Sequence, residues 1–142
     1  MKNKPIKMLI KQANVVANRQ RAKFATSLGI TGVQMGIIDF LSDRTHQRAS
    51  QHDIEQELGI RRSTTTVLVQ KMEKDGLIER SDDPNDKRKK LVQLLPKATK
   101  LVDQIKEYVK EDDLELLSHF SKQEIEATKK VLEFIREEGT NG

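Results

Sequence analysis

Cysteine is absent from all 142 residues. That excludes disulfide frameworks, thiolate metal sites, iron–sulfur clusters, cysteine nucleophiles and thiol redox sensors. No apolar run approaches the ~20 residues that a membrane-spanning helix needs, which argues against a transmembrane protein. The basic N-terminus is followed by no continuous apolar stretch of the secretory-signal kind, and a cytoplasmic location is expected. There is no glycine-rich phosphate loop, no nucleophile elbow and no cluster of histidines and carboxylates, so neither an enzyme nor a cofactor is expected. His46, His52 and His119 are widely separated. A zinc site usually needs three or four ligands, no such set suggests itself, and no metal is expected. Apolar residues are also scarce, at 35% against 34% charged. The length fits one domain of ~150 residues, but a chain this polar builds a thin core. Some of its burial should therefore come from a partner subunit.

What is present is charge, unevenly placed. The net +4 hides a segment of residues 1–27 with seven bases and no acid, and a segment of residues 95–142 with eight bases and eleven acids. Between them, residues 61–94 carry nine bases and six acids, with clumps at Arg61-Arg62 and Lys87-Arg88-Lys89-Lys90. Two such clumps, one at a helix start and one in a loop, suit a surface that tracks phosphates.

Hydrophobic periodicity sets the frame. Ile6, Leu9, Ile10, Ala13, Val16, Ala17 and Phe24 recur at helical spacing over residues 5–26, and Leu28-Gly29-Ile30 breaks that helix. Thr31 opens a second one, with Gln34 completing a capping box. Residues 43–49 read as a polar connection. Ser50 and Asp53 begin a short helix that Gly59 ends. Thr65, Leu68, Val69 and Met72 then form the inner face of a third stretch, closed by Asp75-Gly76. Two short helices joined by a tight glycine turn make a helix-turn-helix signature. Residues 77–80 and 90–95 read as paired strands around the turn Asp83-Pro84-Asn85-Asp86, with a long basic tip. Pro96 starts a long helix to about Leu117. Ser121 and Glu124 cap the last helix, which should fray from Gly139. The expected fold is mainly α with a small β-hairpin wing (α+β): a winged helix-turn-helix flanked by long N- and C-terminal helices.

The major groove of a duplex, ~12 Å wide, admits one α-helix. With the apolar set turned inward, Arg61, Arg62, Ser63, Thr64, Thr66, Val67 and Gln70 form the candidate DNA-reading surface. Arg62 suits guanine, Gln70 adenine, and the methyl groups of Thr66 and Val67 suit thymine. The hydroxyl run from Ser63 to Thr66 has poor helix propensity, which a groove explains better than open solvent does. Lys87, Arg88, Lys89 and Lys90 would reach a neighbouring groove or the backbone. Asp86 among them is expected to pair with Arg80 or Arg88 and to shape the loop.

These residues carry a resemblance. The stretch from Ser50 to Pro96 resembles the winged helix-turn-helix of the MarR family, the multiple antibiotic resistance regulators. The matching pieces are Leu58-Gly59-Ile60, Ser63-Thr64, the run Glu73–Arg80, and Asp82–Arg88 with its Asp-x-Arg; Thr31-x-x-Gln34 matches the second-helix start. The resemblance implies a homodimer held by the first and last helices, with residues 31–95 as DNA-binding lobe and residues 1–30 and 96–142 as helical dimerisation lobe. It also implies a pseudo-palindromic operator in double-stranded DNA, Arg88 in the minor groove, and repression relieved by a small aromatic or lipophilic effector. Four positions depart from the family pattern. Arg61 stands where Asp or Ser is frequent, Val67 where Arg is, Leu95 where a capping Thr is, and Ala98 where Gly is. Winged helices also serve as protein-interaction adaptors; the basic wing and the hydroxyl run favour DNA.

Overall fold

The computed structural model describes residues 3–141. Its helices are α1 (Ile6–Ser27), α2 (Gly32–Ser42), α3 (Gln51–Leu58), α4 (Arg62–Lys74), α5 (Pro96–Thr99), α6 (Val102–Leu117) and α7 (Lys122–Asn141). Three strands, β1 (Arg48–Ser50), β2 (Ile78–Asp83) and β3 (Asp86–Leu94), form one antiparallel sheet in the order β1-β3-β2. The fold is thus mainly α with a small β wing. The chain divides into two compact units, one reaching to Ile105 and the other beginning at Lys106.

In the first unit the core sits between α2, α3, α4 and the root of the sheet. Met35, Ile37, Ile38 and Leu41 of α2 are fully enclosed, as are Ile54 of α3, Val69 and Met72 of α4, and Ile78 and Val92 of the sheet. Local chemistry explains the helix starts. The Thr31 hydroxyl accepts from the Gln34 backbone N–H at 3.1 Å while the Gln34 side chain accepts from the Thr31 N–H at 2.9 Å. Such reciprocal bonds satisfy two of the donors that a helix start leaves open. The buried Gln34 amide also reaches the Asp75 carboxylate at 3.5 Å. The break between α1 and α2 lets them pack closely, and Gly32 leaves its would-be Cβ only 3.5 Å from the Ala22 backbone.

Four details differ from the sequence reading. The connection over residues 43–49 ends in β1, whose Ala49 and Ser50 pair with Val92 and Leu91. Three residues carry no periodicity of their own, and β3 gives them their strand geometry. The wing has a two-residue turn, Pro84-Asn85, not a long tip, so Asp86–Lys90 lie on β3 itself. Asn85 N–H donates to the Asp83 side chain at 2.8 Å, closing the turn locally. The helix from Pro96 is split into α5 and α6. Buried Ala98 anchors the first turn, and Leu101 N–H bonds Ala98 O at 2.9 Å, one residue short of the α-helical partner. Finally, α7 continues past Gly139 to Asn141.

The second unit comprises the C-terminal part of α6 and α7. Ser121 and Glu124 form the expected reciprocal cap, at 3.1 and 2.9 Å. No described α7 residue is fully buried, and Val131, Leu132 and Phe134 are exposed, Phe134 at 63%. In the first unit α1 is similar: among its described residues only Ala25 is buried, while Ile6, Val15 and Val16 are about half exposed or more.

Candidate nucleic-acid interface

The hinge between α3 and α4 follows from two local devices. The Ser50 hydroxyl accepts from Asp53 N–H at 3.0 Å and starts α3. Gly59, in the left-handed region at φ 62°, ends it and turns the chain so that Ile60 N–H bonds Glu55 O at 3.2 Å. α4 then begins after Arg61, which contributes no side-chain cap. Along α4, Thr65, Val69 and Met72 are buried and Leu68 is half-buried, which fixes the rotation of the helix. Arg61, Arg62, Ser63, Thr64, Val67 and Gln70 are consequently exposed, Val67 at 65%.

Thr66 is different. It is half-buried and its hydroxyl is committed: it donates to Arg62 O at 3.0 Å and accepts from the Gln51 amide at 2.9 Å. The hydroxyl run therefore splits by position. Ser63 and Thr64 stay open, while Thr65 bonds back to Arg61 O at 3.0 Å inside the core. Thr65 and Thr66 both return a bond to the carbonyl four residues back, a local pattern open to a hydroxyl inside a helix.

Asp86, Lys87, Arg88, Lys89 and Lys90 occupy the outer half of β3, where only β2 flanks them. With no core against either face there, the lysines and Arg88 project into solvent. Asp86 pairs with Arg88, not Arg80: its carboxylate accepts the Arg88 backbone N–H at 3.0 Å and the guanidinium Nε at 3.2 Å. These two bonds, the backbone one first, hold the Asp86 carboxyl below its usual 3.8. Arg80 instead joins Glu73 of α4 at 3.1 Å, tying β2 to α4. Lys90 pairs across the hairpin with Asp82.

Parts of the two basic clumps, Arg62 from the first and Arg88, Lys89 and Lys90 from the second, line one cleft. A cleft of about 530 Å³ is walled by Arg44, Arg48, Arg62, Arg88, Lys89 and Lys90, with Asp53, Glu55 and Asp83 as its acids. Six cations against three carboxylates on concave walls give a positive field that draws phosphates. Arg44 is the least free of the six, since it pairs with Asp53 at 3.0 Å and lies 5.3 Å from the centre of the Phe40 ring. Arg61, Lys87 and the outward face of α4 beyond Arg62 lie outside the cleft wall. Arg44, Arg48 and Gln51 escaped the sequence reading because their place depends on β1, which has no sequence signal. His52 faces solvent beside Glu55, 3.5 Å away. Among the described residues no three metal-ligating side chains cluster, and no single described helix is long and apolar enough to cross a membrane.

Known proteins share this architecture. Residues 28–89 match the MarR family. The transcription regulator MarR from Oenococcus oeni PSU-1 is 34% identical, covering 94% of this chain and 99% of its own, with a TM-score of 0.81. The chain belongs to the MarR family. As a member it is a transcriptional regulator rather than an enzyme. The fold is also that of S. aureus MepR, solved with DNA, at 23% identity, 94% and 96% coverage and a TM-score of 0.85. It is likewise that of NadR in complex with 4-hydroxyphenylacetate, at 24% identity, 96% and 95% coverage and a TM-score of 0.77. The uncharacterized HTH-type transcriptional regulator YcgE of Bacillus subtilis is 24% identical over 102 residues. That match spans 72% of this MarR-family chain and 65% of YcgE.

Proposed function

We propose that this MarR-family chain is a cytoplasmic repressor that binds a pseudo-palindromic operator in double-stranded DNA as a homodimer. The observation that carries this reading is the shared cleft, in which Arg62 of α4 and Arg88, Lys89 and Lys90 of β3 line one concavity. In this reading residues 31–95 are the DNA-binding lobe. Arg62, Ser63, Thr64, Val67 and Gln70 meet base edges or phosphates, and Arg61 the backbone. Thr66 keeps only its methyl group for a base, because its hydroxyl is used internally. Asp86 sets the pose of Arg88, while Lys87, Lys89 and Lys90 track phosphates.

Residues 1–30 and 96–142 are then the dimerisation lobe. The support is twofold. Apolar side chains stand exposed on α1 and α7, a feature typical of an interface. The charge is complementary as well, with seven bases and no acid in residues 1–27 against an acid excess in residues 95–142. A small aromatic or lipophilic effector would release the operator; the ligand held by the fold relative NadR is of the aromatic class.

A fluorescence anisotropy titration tests the reading. The probe is duplex DNA from immediately upstream of the protein's own gene, with a scrambled duplex as control, at low and physiological salt. A sequence-dependent complex of two chains per duplex that survives physiological salt is expected. Equal binding to both duplexes, abolished by salt, would overturn specific operator recognition at that site.

A further inference from the structure

The Gln51 side chain is the feature of the cleft that phosphate attraction leaves unexplained. Gln51 opens α3, lines the basic cleft and is half-buried. Its amide N–H donates to Thr66 Oγ1 at 2.9 Å, a bond between residues 15 apart that ties the start of α3 to the second turn of α4. Thr66 passes the link on by donating to Arg62 O at 3.0 Å. The other end of the Gln51 amide, Oε1, is buried and accepts no hydrogen bond. A buried acceptor without a donor is unfavourable. Stability alone gives no reason for glutamine here, since a leucine of similar size would remove that liability and pack on the same wall.

We propose that Gln51 is a specificity-determining positioning residue: through Thr66 it fixes how α4 presents Arg62, Ser63, Val67 and Gln70 to a duplex. Geometry is the reason. The buried face of α4 sets the rotation of the helix, but aliphatic contacts tolerate small axial slides, whereas a hydrogen bond of 2.9 Å does not. A bidentate pairing to a base edge is likewise sensitive to displacements of a few tenths of an ångström. Gln51 touches no base in this arrangement. It acts through Thr66 and the Arg62 carbonyl, at the turn of α4 from which the Arg62 side chain leaves. The proposal rests on the operator reading above.

The test is in vitro selection from a randomised 30-bp duplex pool, run on the full-length wild type, Gln51→Leu, Thr66→Val and the double variant, with melting temperatures measured beside it. Wild type should enrich one motif. Gln51→Leu should melt at or above the wild-type temperature yet lose about 5–10-fold discrimination at one or two adjacent base pairs. Thr66→Val should lose discrimination at the same base pairs. The double variant should lose no more than either single one, because both changes cut one link. A Gln51→Leu protein that enriches the wild-type motif with wild-type discrimination overturns this assignment while leaving the operator reading intact. So does a uniform weakening over all sequences that tracks a fall in melting temperature, the signature of a merely structural role. Should Gln51→Leu fail to fold, Thr66→Val alone decides, because its methyl groups match the threonine volume. A wild type that enriches nothing overturns the operator reading, and this assignment falls with it.

Discussion

Asp86 grips Arg88 at two points, the backbone N–H at 3.0 Å and the guanidinium Nε at 3.2 Å, while the Arg88 side chain stays 92% exposed. An exposed arginine would ordinarily sample many rotamers, and ordering it on binding costs side-chain entropy. Here much of that ordering precedes any encounter. Arg88→Ala should therefore weaken DNA binding and lower the salt slope by about one counterion, with the oligomeric state and melting temperature unchanged. Asp86→Ala should weaken binding less, by freeing Arg88 without deleting it. Anisotropy titrations across salt separate the two, and an equal loss of folding in Arg88→Ala would contradict the wing role.

The same pair makes a pH prediction. The folded-state pKa of Asp86 is lowered, so its contribution is present above the ordinary value of 3.8 and is lost as pH falls through the lowered one. Between pH 5 and 8 the clasp stays ionised, and its share of DNA affinity should be flat. A carboxyl titration of Asp86 followed by NMR, with its midpoint below 3.8, is the check.

Gln70 is exposed one turn beyond Thr66, and among the described residues its side chain has no partner that would restrain it as Thr66 is restrained. Gln70→Ala should change preference among operator variants by about 1–3 kcal/mol at one base pair. Uniform weakening across sequences would reassign it to the phosphates.

Phe134 tests the proposed dimer. It is 63% exposed on a helix with no fully buried described residue. Phe134→Glu should shift the protein to monomer in sedimentation velocity and lower operator affinity, with helix content by circular dichroism retained. A stable dimer in the variant would move the interface elsewhere.

On α6, a hydrogen bond and charge repulsion from Glu107 raise the Glu111 pKa. Like charges four residues apart on a helix destabilise it. A raised carboxyl pKa favours the protonated fold, so the pair is less harmful at low pH and costs most above the raised value. Glu111→Gln should raise the melting temperature at pH 7 and leave it nearly unchanged at pH 4.

Much of this was legible because it is local. Thr31 with Gln34, Ser50 with Asp53 and Ser121 with Glu124 each announce a helix by a bond spanning three residues. Gly59 announces the turn by a backbone angle that other residues avoid. What escaped is what distant residues decide. β1 exists because Leu91–Gln93 pair with it. The basic run at Lys87–Lys90 looked like a loop because strand positions with both faces in water show no apolar alternation. The internal bond of the Thr66 hydroxyl escaped as well, because its partner Gln51 lies 15 residues back in the chain.

β3 is built like a cantilever. Its inner residues Leu91, Val92 and Gln93 are clamped on both edges, by β1 and by β2, while its outer half is held by β2 alone. Stiffness must fall along the strand, and amide exchange should quicken from Leu94 outward to Lys87. The residues that would grip DNA are the compliant end of a beam whose root is fixed in the same core as α4. The span between Arg62 and Arg88 can flex to meet an irregular duplex, but its mean value is set deep in the protein, at Val92.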